Sequence, residues 1–383
     1  MSFSLSEDQL QVQDSIRRVA TEKVAPRAAK IDRDGVYPQD MFDLLRDLGL
    51  FTLPFPTEFG GTGSMVSACV AVEELCRVCY NTAYLLIVQW TPFCAVLYGG
   101  TEEQKERFLP GLGSGELRAA ISVTEPGAGS DVAGIKTRVD RTQGGYVLNG
   151  SKIYCTNSAI ADFIVVAAKI DPDQRHGGVC LFLVEKGMKG FEIGRNENKL
   201  GSRGIPSSAL HFDNVFIPEE NRLGSEKEGF KLVMEAFNKA RPSIGARGVG
   251  LAQGAIDHAV RYVREREAFG QSVADFQGVR WMLADMATQT EAARQLVYKA
   301  AAMVDAGETG YALAPFASMA KCFATDVAMK VATDAVQLFG SAGISQENPV
   351  ERYFRDAKVL QIVEGTNQIQ RNIVGKHVVL NMG

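Results

Sequence analysis

The stretch QIVEGTNQIQR, residues 361–371, interrupts a C-terminal region whose pattern is otherwise helical. Glu364 stands between Val363 and Gly365, and no cationic residue adjoins it in the sequence. A carboxyl group in apolar surroundings has a raised pKa because desolvation disfavours its charged form, and such a group can act as a general base near neutral pH. The stretch therefore predicts a catalytic carboxylate at a break between two helices. The same pattern also fits a partly exposed Glu that simply ends a helix.

The chain before this break keeps a helical pattern from about Gly229 onward. Three segments, 245–266, 275–306 and 311–339, are each long enough to cross a helical bundle. Small residues crowd the first of them and would allow close contact between helices. One face of the second segment is apolar at helical spacing, with Leu283, Met286, Ala287, Ala293, Val297 and Ala300. The sequence therefore predicts a C-terminal helical bundle.

The central part of the chain has a pattern typical of strands. Alternation across 135–139, followed by Gly144 and Gly145, predicts a hairpin. Further short runs rich in β-branched and aromatic residues occupy 163–166, 179–184, 210–212 and 215–217. Because no helical segments separate these runs, they indicate an antiparallel β-domain rather than a parallel sheet.

The region before residue 116 is predominantly helical in pattern. An apolar face at helical spacing follows a capping box at residues 6–9 and is expected to end where Pro26 interferes. Further helices are expected over 41–48, over 65–98 with an interruption near Pro92, and over 101–111. The predicted domains are 1–116 (N-terminal helical), 117–227 (central β) and 228–383 (C-terminal helical).

Composition excludes several classes of protein. The 383 residues are 46% hydrophobic and 22% charged, which is ordinary for a soluble globular protein. The net charge of -4 argues against nucleic-acid binding, and no apolar run reaches the roughly 18–20 residues that span a membrane. No basic-then-apolar leader is visible. These features predict a cytoplasmic bacterial protein, with the mitochondrial matrix as the alternative.

The cysteines do not indicate a disulfide framework or a metal site. There are seven, an odd number scattered through a long chain. Cys76 and Cys79 formally match the C-x-x-C pattern, but no second pair and no histidine lie close in sequence. We expect no bound metal and reduced, mostly buried thiols.

Two segments of the β-domain carry residues suited to a cofactor. Residues 124–131, TEPGAGSD, form a glycine-rich loop whose amides and hydroxyls could meet a planar or phosphorylated ligand. The loop lacks the third glycine of a dinucleotide fingerprint and precedes a strand pattern, so a plain turn is the alternative. Residues 154–157, YCTN, combine an aromatic ring with hydroxyl and amide groups, which suits either a ring system or the end of a strand.

Three segments of the C-terminal region carry similar potential. Arg266 closes a basic helix and could meet a phosphate, or could lie in solvent at a helix end. Arg241 could hold an anionic ligand or belong to the surface. Residues 337–343, QLFGSAG, end a long helix, and their glycines fit either a helix cap or close approach to a cofactor.

Taken together and in this order, these segments resemble the acyl-CoA dehydrogenase family over essentially the whole chain. The resemblance implies a flavoenzyme with an N-terminal helical domain, a central antiparallel β-barrel and a C-terminal four-helix bundle. Its motifs are specific for the family but not for the substrate. They are EPGAGSD at 125–131, NGSKIYCTN at 149–157, FNKARP at 237–242, REAFGQ at 266–271, DAVQLFGSAG at 334–343 and RDAKVLQIVEGTNQIQR at 355–371.

The resemblance implies FAD bound between the β-domain and the C-terminal bundle of a homotetramer. Thr366 and Gln368 would contact this subunit's own FAD. The implied β-domain contacts are Ile121, Val123, Thr124, Gly129, Ser130, Tyr154 and Thr156. Those implied for the FAD of a neighbouring subunit are Arg266, Phe269, Gln277, Gln337, Leu338, Gly340 and Ser341. The family usually has Trp where Tyr154 stands, so the flavin packing and spectrum are expected to differ.

The resemblance also implies a reaction. Glu364 would remove the α-proton of an acyl-CoA while the β-hydrogen leaves as hydride to the flavin, which gives a 2-enoyl-CoA. Ser130, Phe237, Arg241 and Gly365 fall at CoA or substrate positions. The electrons would pass to electron-transfer flavoprotein; an acyl-CoA oxidase or a flavin monooxygenase on the same fold is the alternative.

The acyl group is predicted from the helix over 81–93, which lines the acyl pocket in the family. Tyr84 and Thr91 share one helical face, and Trp90 and Phe93 add bulk nearby. These residues predict a compact pocket for a short, branched or alicyclic acyl group such as cyclohexane-1-carboxyl. A face of bulky residues that belongs only to the core is the alternative.

Overall fold

Helices form the first part of the chain in the computed structural model, which describes residues 4–381. They are α1 Glu7–Val19, α2 Ala25–Asp34, α3 Gln39–Asp47, α4 Met65–Cys76, α5 Tyr80–Gly99 and α6 Glu102–Ser114. The capping box predicted at Ser6 is present, since its hydroxyl accepts from the Gln9 amide and the Gln9 side chain accepts from the Ser6 amide. This arrangement satisfies two amides that the first helical turn leaves free.

Prolines interrupt these helices less than predicted. A π-helical turn, Ala20–Val24, carries the chain past Pro26 into α2, where the proline lies in the first turn and its missing N–H costs little. Pro92 lies inside α5, and the break falls instead at 77–79, where Cys79 is extended and immediately precedes α5. The predictions that Pro26 ends a helix and that Pro92 interrupts one were therefore wrong.

Helix α5 lies at the centre of this region. By length and composition it is the only helix within residues 4–381 that could cross a membrane. However, 78% of its most apolar 18-residue stretch is buried inside the fold. Trp90 donates its indole N–H to the carbonyls of Leu50 and Phe51, and Phe93 stacks on Phe55 at 3.7 Å between ring centroids. These contacts are those of a core helix, which is the commoner origin of such a segment.

The central region is a mixed sheet. Its strands are β1 Ala119–Ser122, β2 Arg138–Thr142, β3 Gly145–Thr156, β4 Phe163–Lys169, β5 Val179–Glu185, β6 Phe191–Asn196, β7 Ser207–Pro218 and β8 Arg222–Leu223. The predicted hairpin is confirmed, because β2 and β3 pair antiparallel across Gly144. Most neighbours are antiparallel, but β1 pairs with β4 in parallel over four residues. The prediction of a purely antiparallel domain was therefore wrong in this detail.

The order of the strands is β6-β7-β3-β2-β4-β5-β8, with β1 beside β4. Among the described residues, β6 and β8 end this order without pairing to each other, so the predicted barrel is not confirmed. The chain between β1 and β4 contains the long β2–β3 hairpin. Because parallel strands need a long connection of this kind, β4 can return beside β1 and run in the same direction.

The C-terminal region is helical, as predicted. Its helices are α7 Gly229–Glu265, α8 Gln277–Asp305, α9 Gly310–Phe339, α10 Val350–Leu360 and α11 Asn367–Asn381, with a small hairpin of β9 Glu267–Ala268 and β10 Gln271–Ser272 after α7. Helix α7 begins at Gly229 rather than at 245 and includes Pro242. Helix α9 packs against all four of the other helices.

Small residues let α7 approach its neighbours closely, as the sequence predicted. A Cβ atom on Gly250 would lie 2.3 Å from the Glu73 carbonyl oxygen, and one on Gly254 would lie 2.0 Å from the Arg77 carbonyl oxygen. Both distances are shorter than any real contact, so these positions require glycine. The N-terminal and C-terminal helices consequently share one buried core, to which residues of the sheet also contribute.

We expect stability to fall when the partly buried imidazole of His258, on α7, becomes protonated. Burial lowers the pKa of His258 to about 4, and Arg261 and Arg352 act in the same direction. A neutral histidine of lowered pKa stabilises the fold above its unfolded pKa of about 6.5, and that contribution is lost as pH falls toward 4. The His258→Gln variant should therefore lose less stability between pH 6.5 and pH 4 than the parent, as measured by urea unfolding at each pH.

The matched control is His211→Gln, which replaces an exposed histidine on β7. This variant should keep the pH dependence of the parent protein. If the unfolding free energy of His258→Gln depends on pH as strongly as that of the parent, protonation of His258 is not the cause of the loss of stability.

Candidate active site

Glu364 lies in a strained turn between α10 and α11. Its φ is +55°, in the left-handed region that side chains other than glycine rarely occupy, and Gly365 follows at +88°. Such strain costs on the order of 1–3 kcal/mol and is found where surrounding contacts hold it, often at functional sites. The sequence predicted the break; the structure adds that Glu364 itself has the unusual backbone conformation.

Contacts from α9 hold this turn in place. The Lys321 ammonium donates to the Gly365 carbonyl at 2.9 Å and to the Asn367 side-chain oxygen at 2.8 Å. The Gln370 amide also donates to the Gly365 carbonyl, at 3.0 Å. Lys321 is fully buried, and its burial lowers its pKa to about 8, an effect that Glu364 opposes. The turn is therefore fixed by a buried cation rather than by solvent-exposed contacts.

The Glu364 carboxylate is nearly enclosed and faces a guanidinium. Its Oε1 accepts from Arg247 Nη2 at 3.2 Å, and the side chains of Glu364 and Arg247 are 15% and 0% exposed. Glu364 Oε2 is buried and has no hydrogen-bond partner among the described residues. Burial raises the pKa of Glu364, although Arg247, Lys321 and Arg241 pull it down. One oxygen is thus oriented while the other is left for a reacting group.

Two tyrosines of α5 surround Arg247. The guanidinium carbon lies 3.9 Å from the ring centroid of Tyr84 and 5.3 Å from that of Tyr80, and Nη1 donates to the Tyr80 hydroxyl at 3.2 Å. Burial raises the pKa of Tyr84, as does Glu364, while Arg247 and the neighbouring Thr156 side chain lower it. A single cluster therefore joins the predicted base, the predicted acyl-pocket residue Tyr84 and the predicted flavin contact Thr156.

Arg241 adds a third buried cation to this region. It is 3% exposed, donates to the side-chain oxygen of Asn238, and has no partner at Nε among the described residues. Burial lowers its pKa to about 10, and Glu364 opposes the shift. The prediction left open whether Arg241 belongs to the surface, and its burial excludes that alternative.

The glycine-rich loop is anchored by a buried ion pair. Lys152 on β3 donates to Glu125 Oε1 at 2.8 Å and to the Val123 carbonyl at 3.0 Å. Glu125 also accepts from the amides of Lys136 and Thr137, at 2.6 and 2.9 Å. Burial alone would raise the pKa of Glu125, but Lys152 and these amides hold it below its usual value.

The predicted β-domain contacts form an accessible edge. Tyr154 is 62% exposed, with a φ of +54°, and Gly129 and Ser130 are exposed on the neighbouring loop. The hydroxyl of Ser122 is buried and has no partner among the described residues. An exposed aromatic ring beside free hydroxyl groups fits a flat, partly polar ring system such as a flavin. Thr124, Ile121 and Thr156 are partly exposed beside them, and Val123 is buried.

The residues predicted to reach a neighbouring subunit's FAD lie together at one end of the bundle. Tyr262 near the end of α7 stacks on Phe339 at the end of α9, at 4.1 Å between centroids, which joins the two segments. Phe269 is 96% exposed, and most of the others are exposed as well. The set comprises Arg266, Phe269, Gln277, Gln337, Leu338, Gly340 and Ser341. Within residues 4–381, no hydrogen bond or ion pair joins any of them to Glu364.

The remaining predicted residues differ in how near they lie to Glu364. Gly365 and Thr366 follow it directly, Gln368 is exposed on α11, and Phe237 is half-buried on α7. Thr91 is buried, and its hydroxyl donates to the Ile87 carbonyl of its own helix at 3.0 Å. That bond leaves the Thr91 hydroxyl proton unavailable to a substrate.

Arg247 and Lys321 were not predicted as site residues. Both lie far from Glu364 in sequence, and the helical fold brings them to it. One signal for Arg247 was present in the sequence, since it is a lone charge within the small-residue run of 245–255 that was expected to allow close contact between helices.

The cysteines are distributed through the interior and do not form a site. All seven are buried and unbridged, as expected for reduced thiols. No group of three or more metal-ligating side chains lies within the part of the chain that the structure describes.

Comparison with known proteins gives a consistent result across the whole chain. Residues 6–116, 120–215 and 227–379 match models of the N-terminal, middle and C-terminal domains of acyl-CoA dehydrogenases. Cyclohexane-1-carbonyl-CoA dehydrogenase of Geobacter metallireducens is 43% identical over 380 residues, which cover 98% of each chain.

Solved structures agree with these matches. Butyryl-CoA dehydrogenase from Megasphaera elsdenii superposes with a TM-score of 0.95 at 37% identity, over 99% of this chain and 100% of that chain. A chain from the structure described as the electron transferring flavoprotein of Acidaminococcus fermentans gives 0.95 at 40% identity and covers 100% of both.

Proposed function

The chain belongs to the acyl-CoA dehydrogenase family, and from that premise we propose that Glu364 is the base of an FAD-dependent α,β-dehydrogenation. The observation that carries this assignment is the buried Glu364 carboxylate, which has one oriented oxygen and one oxygen without a partner among the described residues. Bound FAD supplies the acceptor for the substrate's β-hydrogen, which leaves as hydride. The product is a 2-enoyl-CoA.

The residues of this chain make the proton transfer feasible. A carboxylate with a reference pKa of about 4.3 is a weak base toward an α-C–H bond, and burial raises the pKa of Glu364. The hydrogen bond from Lys321 to the Gly365 carbonyl fixes the turn, so the carboxylate is held in place before the substrate binds. We propose that the Glu364 backbone amide donates to the thioester carbonyl, where one such donor is worth on the order of 3 kcal/mol.

We propose that the β-domain edge and the bundle hold the FAD. Tyr154 would cover the ring, and Thr156, Ser130 and the Ile121–Thr124 segment would supply polar and backbone contacts. Thr366 and Gln368 would approach from the other side of the same site. Phe237 and Arg241 would face the substrate, together with Gly365.

The quaternary structure and the partners are proposals too. Exposure of Phe269 and its neighbours at the bundle end supports a homotetramer in which this end reaches the FAD of another subunit. Electron-transfer flavoprotein is the proposed electron acceptor. The match to a chain from a structure that is described by the name of that flavoprotein supports this proposal. We propose a cytoplasmic location.

The acyl group is proposed to be compact, either short, branched or alicyclic. Tyr84 and Tyr80 are bulky and lie with Arg247 beside Glu364, which leaves little length for a linear chain. The similarity to a cyclohexane-1-carbonyl-CoA dehydrogenase supports the same size class.

Anaerobic titration of the purified yellow protein tests this function. The panel is butyryl-, isobutyryl-, octanoyl- and cyclohexane-1-carbonyl-CoA, with flavin absorbance as the readout. Selective bleaching by a compact member is expected. Bleaching by octanoyl-CoA alone would contradict the size class. If neither this panel nor succinyl- and glutaryl-CoA bleach the flavin, dehydrogenation is contradicted.

Shortening Tyr84 is expected to lengthen the accepted acyl chain. Tyr84→Ala removes the ring beside Arg247, and each methylene that a pocket gains or loses changes selectivity by about 10–200-fold. The ratio of kcat/KM for octanoyl-CoA to that for butyryl-CoA should therefore rise at least about tenfold. Tyr84→Phe keeps the ring and should keep the parent's ratio. Equal ratios in all three proteins would place the acyl chain elsewhere.

A further inference from the structure

The buried cluster at Glu364 holds more positive charge than negative. Arg241, Arg247 and Lys321 are all buried, and Glu364 is the one carboxylate that influences all three. The next buried carboxyl, Asp356, accepts from the Ser202 amide, and its burial raises its pKa to about 7. Among the described residues, no hydrogen bond or ion pair joins Asp356 to Arg241, Arg247 or Lys321. A buried excess of cations is unfavourable unless an anion enters.

Arg247 differs from the other two cations in its surroundings. Lys321 has the Gly365 carbonyl and the Asn367 amide oxygen, and Arg241 has Asn238. The partners of Arg247 are Glu364 and the Tyr80 hydroxyl, and its Nε has no partner among the described residues. It is wholly buried, and stacking on Tyr84 fixes the plane of its guanidinium.

The proposed reaction would remove the single anion that Arg247 contacts. When Glu364 takes up the α-proton, its carboxylate becomes neutral and a fully buried guanidinium is left without a counter-ion. A buried charge that loses its partner is strongly destabilised, so Arg247 would oppose the proton transfer for an uncharged acyl group. A second anion beside Arg247 would remove this opposition. It would also leave Glu364 less tied to Arg247 before the transfer.

We propose that Arg247 is a specificity-determining residue that binds a carboxylate at the far end of the acyl group, so that the substrate is a short dicarboxylic acyl-CoA. This inference rests on the proposed function and narrows its compact acyl class to members that carry a terminal negative charge. The planar guanidinium suits a carboxylate because two parallel N–H groups can donate to two oxygens. Its closeness to Glu364 limits the acyl chain to about four or five carbons between the thioester and the terminal carboxylate, both included.

The test compares acids with uncharged substrates of the same shape. Succinyl- and glutaryl-CoA are paired with 4-methylpentanoyl- and 5-methylhexanoyl-CoA, in which an isopropyl group replaces the carboxylate. For the wild-type holoenzyme we expect the better acid to exceed its partner at least about tenfold in kcat/KM, because a site built around a charged group rejects the analogue that lacks it. Cyclohexane-1-carbonyl-CoA is included as an uncharged alicyclic substrate.

Substitution of Arg247 should remove this preference. Arg247→Met should lower kcat/KM for the acid at least about a hundredfold while the uncharged partner changes by less than about tenfold. Arg247→Lys keeps the charge but lacks the planar guanidinium. Its kcat/KM for the acid should lie between those of the parent and of Arg247→Met. Arg294→Gln is the matched control, since it breaks the ion pair between Arg294 on α8 and Glu73 and should leave the ratio unchanged.

The outcomes separate this inference from the proposed function. Equal or faster reduction by the isopropyl or alicyclic substrates would overturn the inference and leave dehydrogenation standing. An equal loss for both substrates in Arg247→Met would also overturn it. Bleaching by no member would overturn both. If Arg247→Met yields no yellow protein, the wild-type pairs and Arg247→Lys decide.

Discussion

Replacement of Glu364 by Gln is expected to lower turnover by about 10²–10⁴-fold while FAD and acyl-CoA remain bound. The amide has almost the same shape as the carboxylate, so Arg247 can still donate to its oxygen. What is lost is the proton acceptor. Pre-steady-state flavin reduction under anaerobic conditions measures the effect directly, and isothermal titration with the CoA thioester measures binding.

The pH dependence of the parent enzyme should have the sign of a base. Burial raises the pKa of Glu364, so flavin reduction is expected to slow as pH falls through that raised pKa. A carboxyl whose pKa is raised in the folded state is less favourably ionised there than in the unfolded chain. The Gln variant no longer titrates at this position, but it leaves the buried Arg247 guanidinium without a counter-ion, so its melting temperature should fall below the parent's.

The control for this variant is Glu308→Gln, which alters an exposed carboxylate in the α8–α9 connection. It should retain full turnover. Near-parental flavin reduction in Glu364→Gln would exclude Glu364 as the base and would require another group to accept the proton.

Sequence predicts the repeating parts of this fold well. Helical periodicity identified α8 and α9 almost to their ends, because one face of each is buried against a neighbour over its length. The β2–β3 hairpin was visible because Gly144 provides the left-handed conformation of its turn. The prediction at Pro26 was wrong because proline is tolerated in the first turn of a helix, where it lies in α2, and that at Pro92 was wrong because tertiary packing maintains helix where local propensity disfavours it.

The electrostatics of the site could not be predicted in the same way. Glu364 has no cation beside it in sequence, yet three approach it in space from α7 and α9. Sequence supplied the carboxylate and its helix break, while the ion pair with Arg247 depends on how the α10–α11 turn packs against α7. Long-range pairs of this kind have no periodic signature, which also explains why the Lys152–Glu125 pair was not foreseen.

Replacement of Lys152 by Met is expected to destabilise the protein by about 3–5 kcal/mol and to release FAD. The Lys152 side chain is fully buried, and its removal leaves the Glu125 carboxylate buried without a counter-ion. The amides of Lys136 and Thr137 would still donate to Glu125, but two neutral donors do not replace a charge. Because Glu125 orders the loop that carries Gly129 and Ser130, the proposed flavin contacts should be lost with it. Urea unfolding and the ratio of flavin to protein absorbance measure the two effects.

A double variant distinguishes a lost ion pair from a lost side chain. Adding Glu125→Gln to Lys152→Met removes the stranded charge, so it should restore part of the stability, because a buried neutral pair is less costly than one buried charge. Lys330→Met is the control, since it breaks an exposed pair with Asp334 on α9 that is worth about 0–1 kcal/mol. Removal of one partner of a buried pair ordinarily costs more than about 1 kcal/mol. If the stability of Lys152→Met lies within about 1 kcal/mol of the parent's, water or a local shift of the structure compensates the Glu125 charge. The buried pair would then not be what anchors the loop.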